Sequence, residues 1–134
     1  MKTNYDALNV IYKRLNTLVK PSISGKVYKL RRPLNSRLED IVINALPISD
    51  EIPQECTVNV NCYAPNIETR VAGVSTSSPD TKRMQEVAQL VTENLENVDD
   101  QDCHYFISNQ AVLQDEAAEE YYTNFRVTFL FTAI

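Results

Sequence analysis

The chain has 134 residues, 43% of them hydrophobic and 23% charged, a balance that suits one domain able to bury roughly 65 to 70% of the surface its unfolded chain exposes. No apolar run approaches the roughly 20 residues of a membrane helix, and the opening MKTNYDALNVIYKRLN has Asp and Asn where an export signal needs apolar residues, so synthesis in the cytoplasm without membrane association is expected. Acidic residues outnumber basic ones 18 to 13, for a net charge of −5, which argues against a general nucleic-acid binder working by phosphate neutralisation.

Leu8, Ile11, Tyr12, Leu15, Leu18 and Val19 recur at helical spacing, predicting an amphipathic helix capped by Thr3 or Asn4 and ended before Pro21. A short strand is predicted from Lys26 to Leu30, introduced by Gly25 and followed by Arg31, Arg32 and Pro33. Glu39 to Ile48 (EDIVINALPI) alternates, with Ile41, Ile43 and Ala45 on one face and Val42, Asn44 and Leu46 on the other. Cys56, Val58, Val60 and Cys62 then alternate with Thr57, Asn59, Asn61 and Tyr63. The intervening SDEIPQE is too short for a crossover helix, so these two strands are expected to pair antiparallel.

Pro65 to Ser78 is rich in Ser, Thr, Pro and Asn and reads as a long exposed loop. Ser78, Pro79 and Asp80 supply a cap, a proline for the first helical position and an acid for the positive helix end. Met84, Val87, Ala88, Val91, Leu95 and Val98 carry that helix to about Asn97. A second hairpin is predicted, Cys103 to Leu113 with Tyr121 to Ala133, joined by the acidic turn QDEAAEE. The expected architecture is α+β: a single domain over residues 1–134 in the order α-β-β-β-α-β-β, with a mostly antiparallel sheet of four to five strands and two helices packed on one face.

Catalytic chemistry has little to work with. His104 is the sole histidine, and a dyad with Cys103 is disfavoured because neighbours on a strand face opposite ways. The three cysteines, Cys56, Cys62 and Cys103, lack the spacing of a disulfide framework or zinc site and are expected as buried free thiols. Gly25 and Gly73 are the only glycines, so no phosphate loop or dinucleotide fingerprint is present. The acidic runs Asp99, Asp100, Asp102 and Asp115, Glu116, Glu119, Glu120 lack a cation-loop pattern and read as solvated loops. No cofactor, metal or enzymatic activity is expected.

The most informative stretch is NFRVTFLFTAI, residues 124–134. Val127, Phe129 and Phe131 share one face, while Arg126, Thr128, Leu130 and Thr132 share the other. The first face suits a core. The second is mixed, and of the neighbours Tyr121 and Tyr122 one ring must also lie on the face away from Phe129.

The order YDALNVIYKRLNTL, GKVYKL, EDIVINALPI with ECTVNVNCY, TKRMQEVAQLVTENL and a hairpin ending RVTFLFTAI resembles the tail terminator, or tail completion, proteins of long-tailed bacteriophages and prophages. The resemblance covers nearly the whole chain and is one of order, length and pattern. It implies a structural virion protein of the tail or neck, assembled in the host cytoplasm as a ring, typically a homo-hexamer. Such a ring caps the finished tail tube and gives the head or neck protein a docking surface. It implies no catalytic residues. The mixed face of the closing strand then becomes a candidate subunit interface, Tyr122, Arg126, Thr128 and Leu130. The acidic turn Asp115, Glu116, Glu119 and Glu120 becomes a candidate lumen or partner loop, past which DNA moves without specific binding. A head-closure or connector protein of the phage neck is the nearest alternative, and a non-viral α+β ligand-binding or regulatory domain is the more distant one.

Overall fold

A computed structural model describes residues 1–132 of the chain. The opening helix, α1 (Asn4–Leu18), follows the apolar spacing and turns Ala7, Leu8, Ile11 and Leu15 inward. Asp6 holds its first turn, accepting from the Thr3 backbone N–H at 2.7 Å and the Thr3 hydroxyl at 3.2 Å. Leu18, expected on the inner face, is 43% exposed, and Val19 just past the helix end is fully buried. A 3-10 turn, Lys20–Ser22, takes up Pro21 and ends the helical run.

The strands are β1 (Val27–Lys29), β2 (Ile41–Ala45), β3 (Gln54–Tyr63), β4 (Ile67–Val71), β5 (Val74–Ser78), β6 (Asn97–Asp99), β7 (Cys103–Asp115) and β8 (Glu120–Phe131), with α2 (Thr81–Leu95) between β5 and β6. Six strands form one sheet in the order β1-β2-β3-β8-β7-β6, and β4 and β5 form a separate two-stranded sheet. The α+β class and the two helices agree with the sequence reading. The sheet is larger than the expected four to five strands, and mixed, because β1 runs parallel to β2.

Three local differences have physical reasons. Pro65 to Ser78 is not a loop: Ile67 pairs with Ser78 and Val71 with Val74, closed by Ala72 and Gly73 at φ +53° and +81°, the left-handed pair that a tight hairpin turn demands. Ser78 therefore belongs to β5, and Asp80 rather than Ser78 caps α2, accepting from the Arg83 backbone N–H at 3.1 Å. Pro79 consequently precedes the cap instead of opening the helix. At the other end α2 stops at Leu95, since Asn97, Val98 and Asp99 pair with β7 as an added strand.

β2 and β3 pair antiparallel as expected, Ile41 opposite Cys62 through Ala45 opposite Val58. β8 lies at the centre, antiparallel to both β3 and β7. Phe125, Val127, Phe129 and Phe131 all turn toward the helices, joining Val58 and Val60 of β3, Ile11 and Leu15 of α1, and Val91 and Leu95 of α2 in one core. The Phe129 ring stacks on Tyr105 at 5.3 Å between centroids and meets Phe131 edge-on at 4.9 Å. Both helices thus cover a single face. Ala133, expected to end the last strand, lies outside the described residues.

Candidate functional site

The face of the sheet turned away from the helices is set by strand alternation. Register places Leu130 opposite Glu55, Thr128 opposite Thr57, Arg126 opposite Asn59, Asn124 opposite Asn61 and Tyr122 opposite Tyr63, so each cross-strand pair projects to the same side. Tyr122, Arg126, Thr128 and Leu130, the candidate interface residues, do share this face. Arg126 is exposed, while Thr128 and Leu130 are half-buried by their neighbours in the sheet.

Asparagines join three strands across the middle of this face. Asn59 donates to Asn44 at 3.0 Å, and Asn124 donates to Asn61 at 2.7 Å and to Asn59 at 3.4 Å. Such a ladder satisfies amides that would otherwise be stranded on a half-buried surface. Its sequence signal was the Asn59 and Asn61 alternation, but the partners Asn44 and Asn124 lie on other strands and emerge only with register.

A parallel pair such as β1 and β2 requires a connection that crosses over the sheet. The helices occupy one face, so residues 30–40 pass over the other. This crossover brings Arg32 to the Tyr63 ring, 3.7 Å from its centroid, and Tyr63 in turn stacks on Tyr122 at 4.9 Å. The same guanidinium pairs with Glu120 at 2.5 Å and with Asp40 at 3.5 Å. Asp40 is fully buried and also accepts from the Ser36 hydroxyl and, at 3.3 Å, from the Lys26 backbone N–H. Gly25 permits this approach, because a Cβ there would stand 2.4 Å from the Glu39 carbonyl oxygen and 2.1 Å from the Asp40 carboxylate. Burial, and then the Asp115 charge, raise the Tyr63 phenol above its ordinary value.

Glu120 therefore departs from the expected lumen or partner loop, being only 4% exposed and held by Arg32. The sequence showed four acids in one turn, but not that a cation some ninety positions earlier would reach one of them. Glu116 and Glu119 remain exposed at the hairpin tip, and Asp115 is half-buried beside them. Between this tip and the crossover lies an open cavity of about 620 Å³, lined by Arg31 and Arg37 as well as by Asp115 and Glu119. Tyr122 is also partly engaged within the chain, which leaves Arg126, Thr128 and Leu130 as the more open part of the face.

A second ion pair ties α2 to the crossover. Arg83 donates to Glu39 through Nε at 2.5 Å and through a terminal nitrogen at 2.9 Å, a bidentate geometry that holds the Glu39 carboxyl below its ordinary value. Cys103 is buried and His104 faces the other way, its Nδ1 at 2.9 Å from an Asp99 carboxylate oxygen, so the two form no dyad. Burial pushes the Cys56 thiol up to about 11 and Cys62 to about 12. Among the described residues no three His, Cys, Asp or Glu side chains converge as a metal site, and no helix is long and apolar enough to cross a membrane.

No protein-family model matches the sequence, and no curated protein matches it.

Proposed function

We propose that this chain is a structural subunit of a phage-type tail. It assembles as a ring, hexameric by the family it resembles, that caps the tail tube at full length and joins it to the head or neck. The observation that carries this reading is the outer face of β3 and β8. A two-layer α+β unit buries one face of its sheet and leaves the other to water or to a neighbour. Here the part of that face left open by the crossover is an amide-rich strip with Arg126 and Glu55 as its exposed charges and with Leu130 and Thr128 half-buried, a composition closer to a protein interface than to a densely charged solvent face. The net charge of −5 and the exposed Glu116 and Glu119 suit a ring through which DNA slides, since carboxylates repel phosphate.

The test is assembly and placement. Light scattering should give a closed oligomer, and electron microscopy of purified chain mixed with tail tubes should show it at one tube end only. Attachment to filled heads and not to tubes would identify a head-closure or connector protein instead. No attachment to either virion part would remove the structural reading and return the chain to the ligand-binding class.

A further inference from the structure

Two features outside that face are both incomplete. The first is the β4–β5 hairpin, which shares no sheet with the rest of the chain. Isolated two-stranded hairpins are marginal in water. Its register puts Ile67, Val71 and Val74 on one side with Thr69 and Thr76, and Glu68 and Arg70 on the other. Val71 and Val74, at the tip, are 70% and 63% exposed. The chain has built an amphipathic arm whose apolar tip, Val71 and Val74, is left open among the described residues.

The second feature is the distal half of β7. β6 pairs only with residues His104 to Phe106, and Ile107 gives its N–H to Glu96. From Ser108 to Asp115 the edge of β7 away from β8 meets no strand among the described residues. Natural edge strands are blunted by charge, proline or a cover. Residues 108–114, SNQAVLQ, contain neither charge nor proline. A bulge between Ile107 and Asn109 reverses the alternation, so that Val112 points to the helix side, where it is 64% exposed. There it borders an apolar groove of about 510 Å³ with Met84, Ala88 and Tyr121.

We infer that the β4–β5 arm of one copy of this chain adds to the free β7 edge of the next, with its apolar side over the groove. The pairing strand is β5: VSTSS is uncharged, as is the edge it meets, and its five residues fit within the open stretch. Arg70, beside the arm tip, would approach the acidic turn that carries Glu116 and Glu119 on the same hairpin as Val112. The chain's own arm does not fill the site: Asn66 at its base donates to the Glu119 carbonyl at 3.0 Å, yet β5 pairs only with β4 and none of its residues lines the groove. An arm on one surface and an edge on another make a head-to-tail contact, which closes into a ring when the rotation allows. The closure, though not the contact, rests on the function proposed above.

The experiment uses two full-length variants, Val74→Asp on the arm and Val112→Asp at the edge. Both positions are exposed, and circular dichroism should show native folds. Sedimentation should find that wild type assembles and that each variant alone has its association weakened roughly 30-fold or more, as for loss of an interface hot spot. Mixed one to one, the variants retain one intact arm and one intact edge between them and should form dimers and nothing larger. Assembly of either variant like wild type, or a mixture that stays monomeric, overturns the inference. So does a wild type that is monomeric at about 1 mM, where even a millimolar contact would be half occupied. Closed rings unaffected by the variants would leave the ring function standing without this contact. The dimer result with open wild-type chains that ignore tube ends would keep the contact and remove the ring function.

Discussion

Phe129 and Leu130 are adjacent in sequence and opposed in space, which makes them a controlled test of which sheet face is core. Phe129 is 0% exposed, with its ring in contact with both Tyr105 and Phe131. Phe129→Ala removes a buried ring and two aromatic contacts, and should cost about 3 to 5 kcal/mol, with roughly 0.5 to 1.5 kcal/mol of it from each aromatic pairing. With a urea slope of about 2 kcal/mol per molar, the midpoint should fall by about 2 M. Phe129→Leu, which keeps most of the volume, should cost less than about 1.5 kcal/mol beyond the lost stacking. Leu130 is half-buried and lies between Glu55 on β3 and His104 on β7. Leu130→Asp adds a carboxylate near Glu55 on a solvated surface and should cost the monomer about 1 kcal/mol or less; under the function proposed above it should also abolish assembly, by placing a charge in a desolvated contact. Urea unfolding followed by circular dichroism, beside light scattering, reads both effects. Equal destabilisation by the two substitutions would refute the division into core and outer faces. Normal assembly of Leu130→Asp would make the outer face plain solvent surface.

Arg32→Ala leaves the buried carboxylates of Asp40 and Glu120 without their shared cation and should cost about 3 to 5 kcal/mol in urea unfolding. Arg32→Lys should recover little of it, as an ammonium cannot stack on Tyr63 while bridging both acids; an alanine variant within about 1 kcal/mol of wild type would contradict this. Because the folded-state value of Glu39 lies below its ordinary 4.5, the stabilisation from Arg83 is fully present above that value and is lost as pH falls through the folded one. The stability gap between wild type and Arg83→Ala should therefore be largest at neutral pH and shrink in acid, and a gap that widens in acid would show the sign to be wrong. Cys56 and Cys62, with thiols raised to about 11 and 12, should resist thiol reagents in the native state at about pH 8. Mass spectrometry should find no disulfide, reductant should leave the urea midpoint unchanged, and rapid native labelling of Cys62 would disprove its burial.

What the sequence disclosed depended on how far each signal reached along the chain. Both helices and the strands around Val58, Val60, Val127 and Phe129 were legible, because apolar periodicity is local and each face is deeply buried. The β4–β5 arm was not, although Ile67, Thr69 and Val71 alternate and Val74 and Thr76 continue the pattern. Serines weaken that alternation, and Ala72 stands where a hairpin turn most often has Asn or Asp. The three-residue β6 exists through pairing with β7, and no short window reveals that. The parallel placement of β1 was equally hidden, and with it the path of residues 30–40, so Arg32 read only as one of two adjacent arginines after the strand and Glu120 as part of a solvated turn. On the candidate face, alternation alone gave Arg126, Thr128 and Leu130, whereas the asparagine ladder required cross-strand register.

The central position of β8 governs when this chain can become stable during synthesis. β3, residues 54–63, has its neighbour at residues 122–131, across α2, the arm and the β7 hairpin. Until that partner emerges, β1 to β3 can pair only among themselves, which leaves β3 with an open edge, and loop-closure entropy delays the union even then. A growing chain with such an edge is exposed to mispairing with other copies. The early α1, with Ile11 and Leu15 laid against the inner side of β2 and β3, is placed to shield Val58 and Val60 in the interval. Shortening α1 should therefore lower the yield of soluble protein more steeply than it lowers the equilibrium stability of whatever folds.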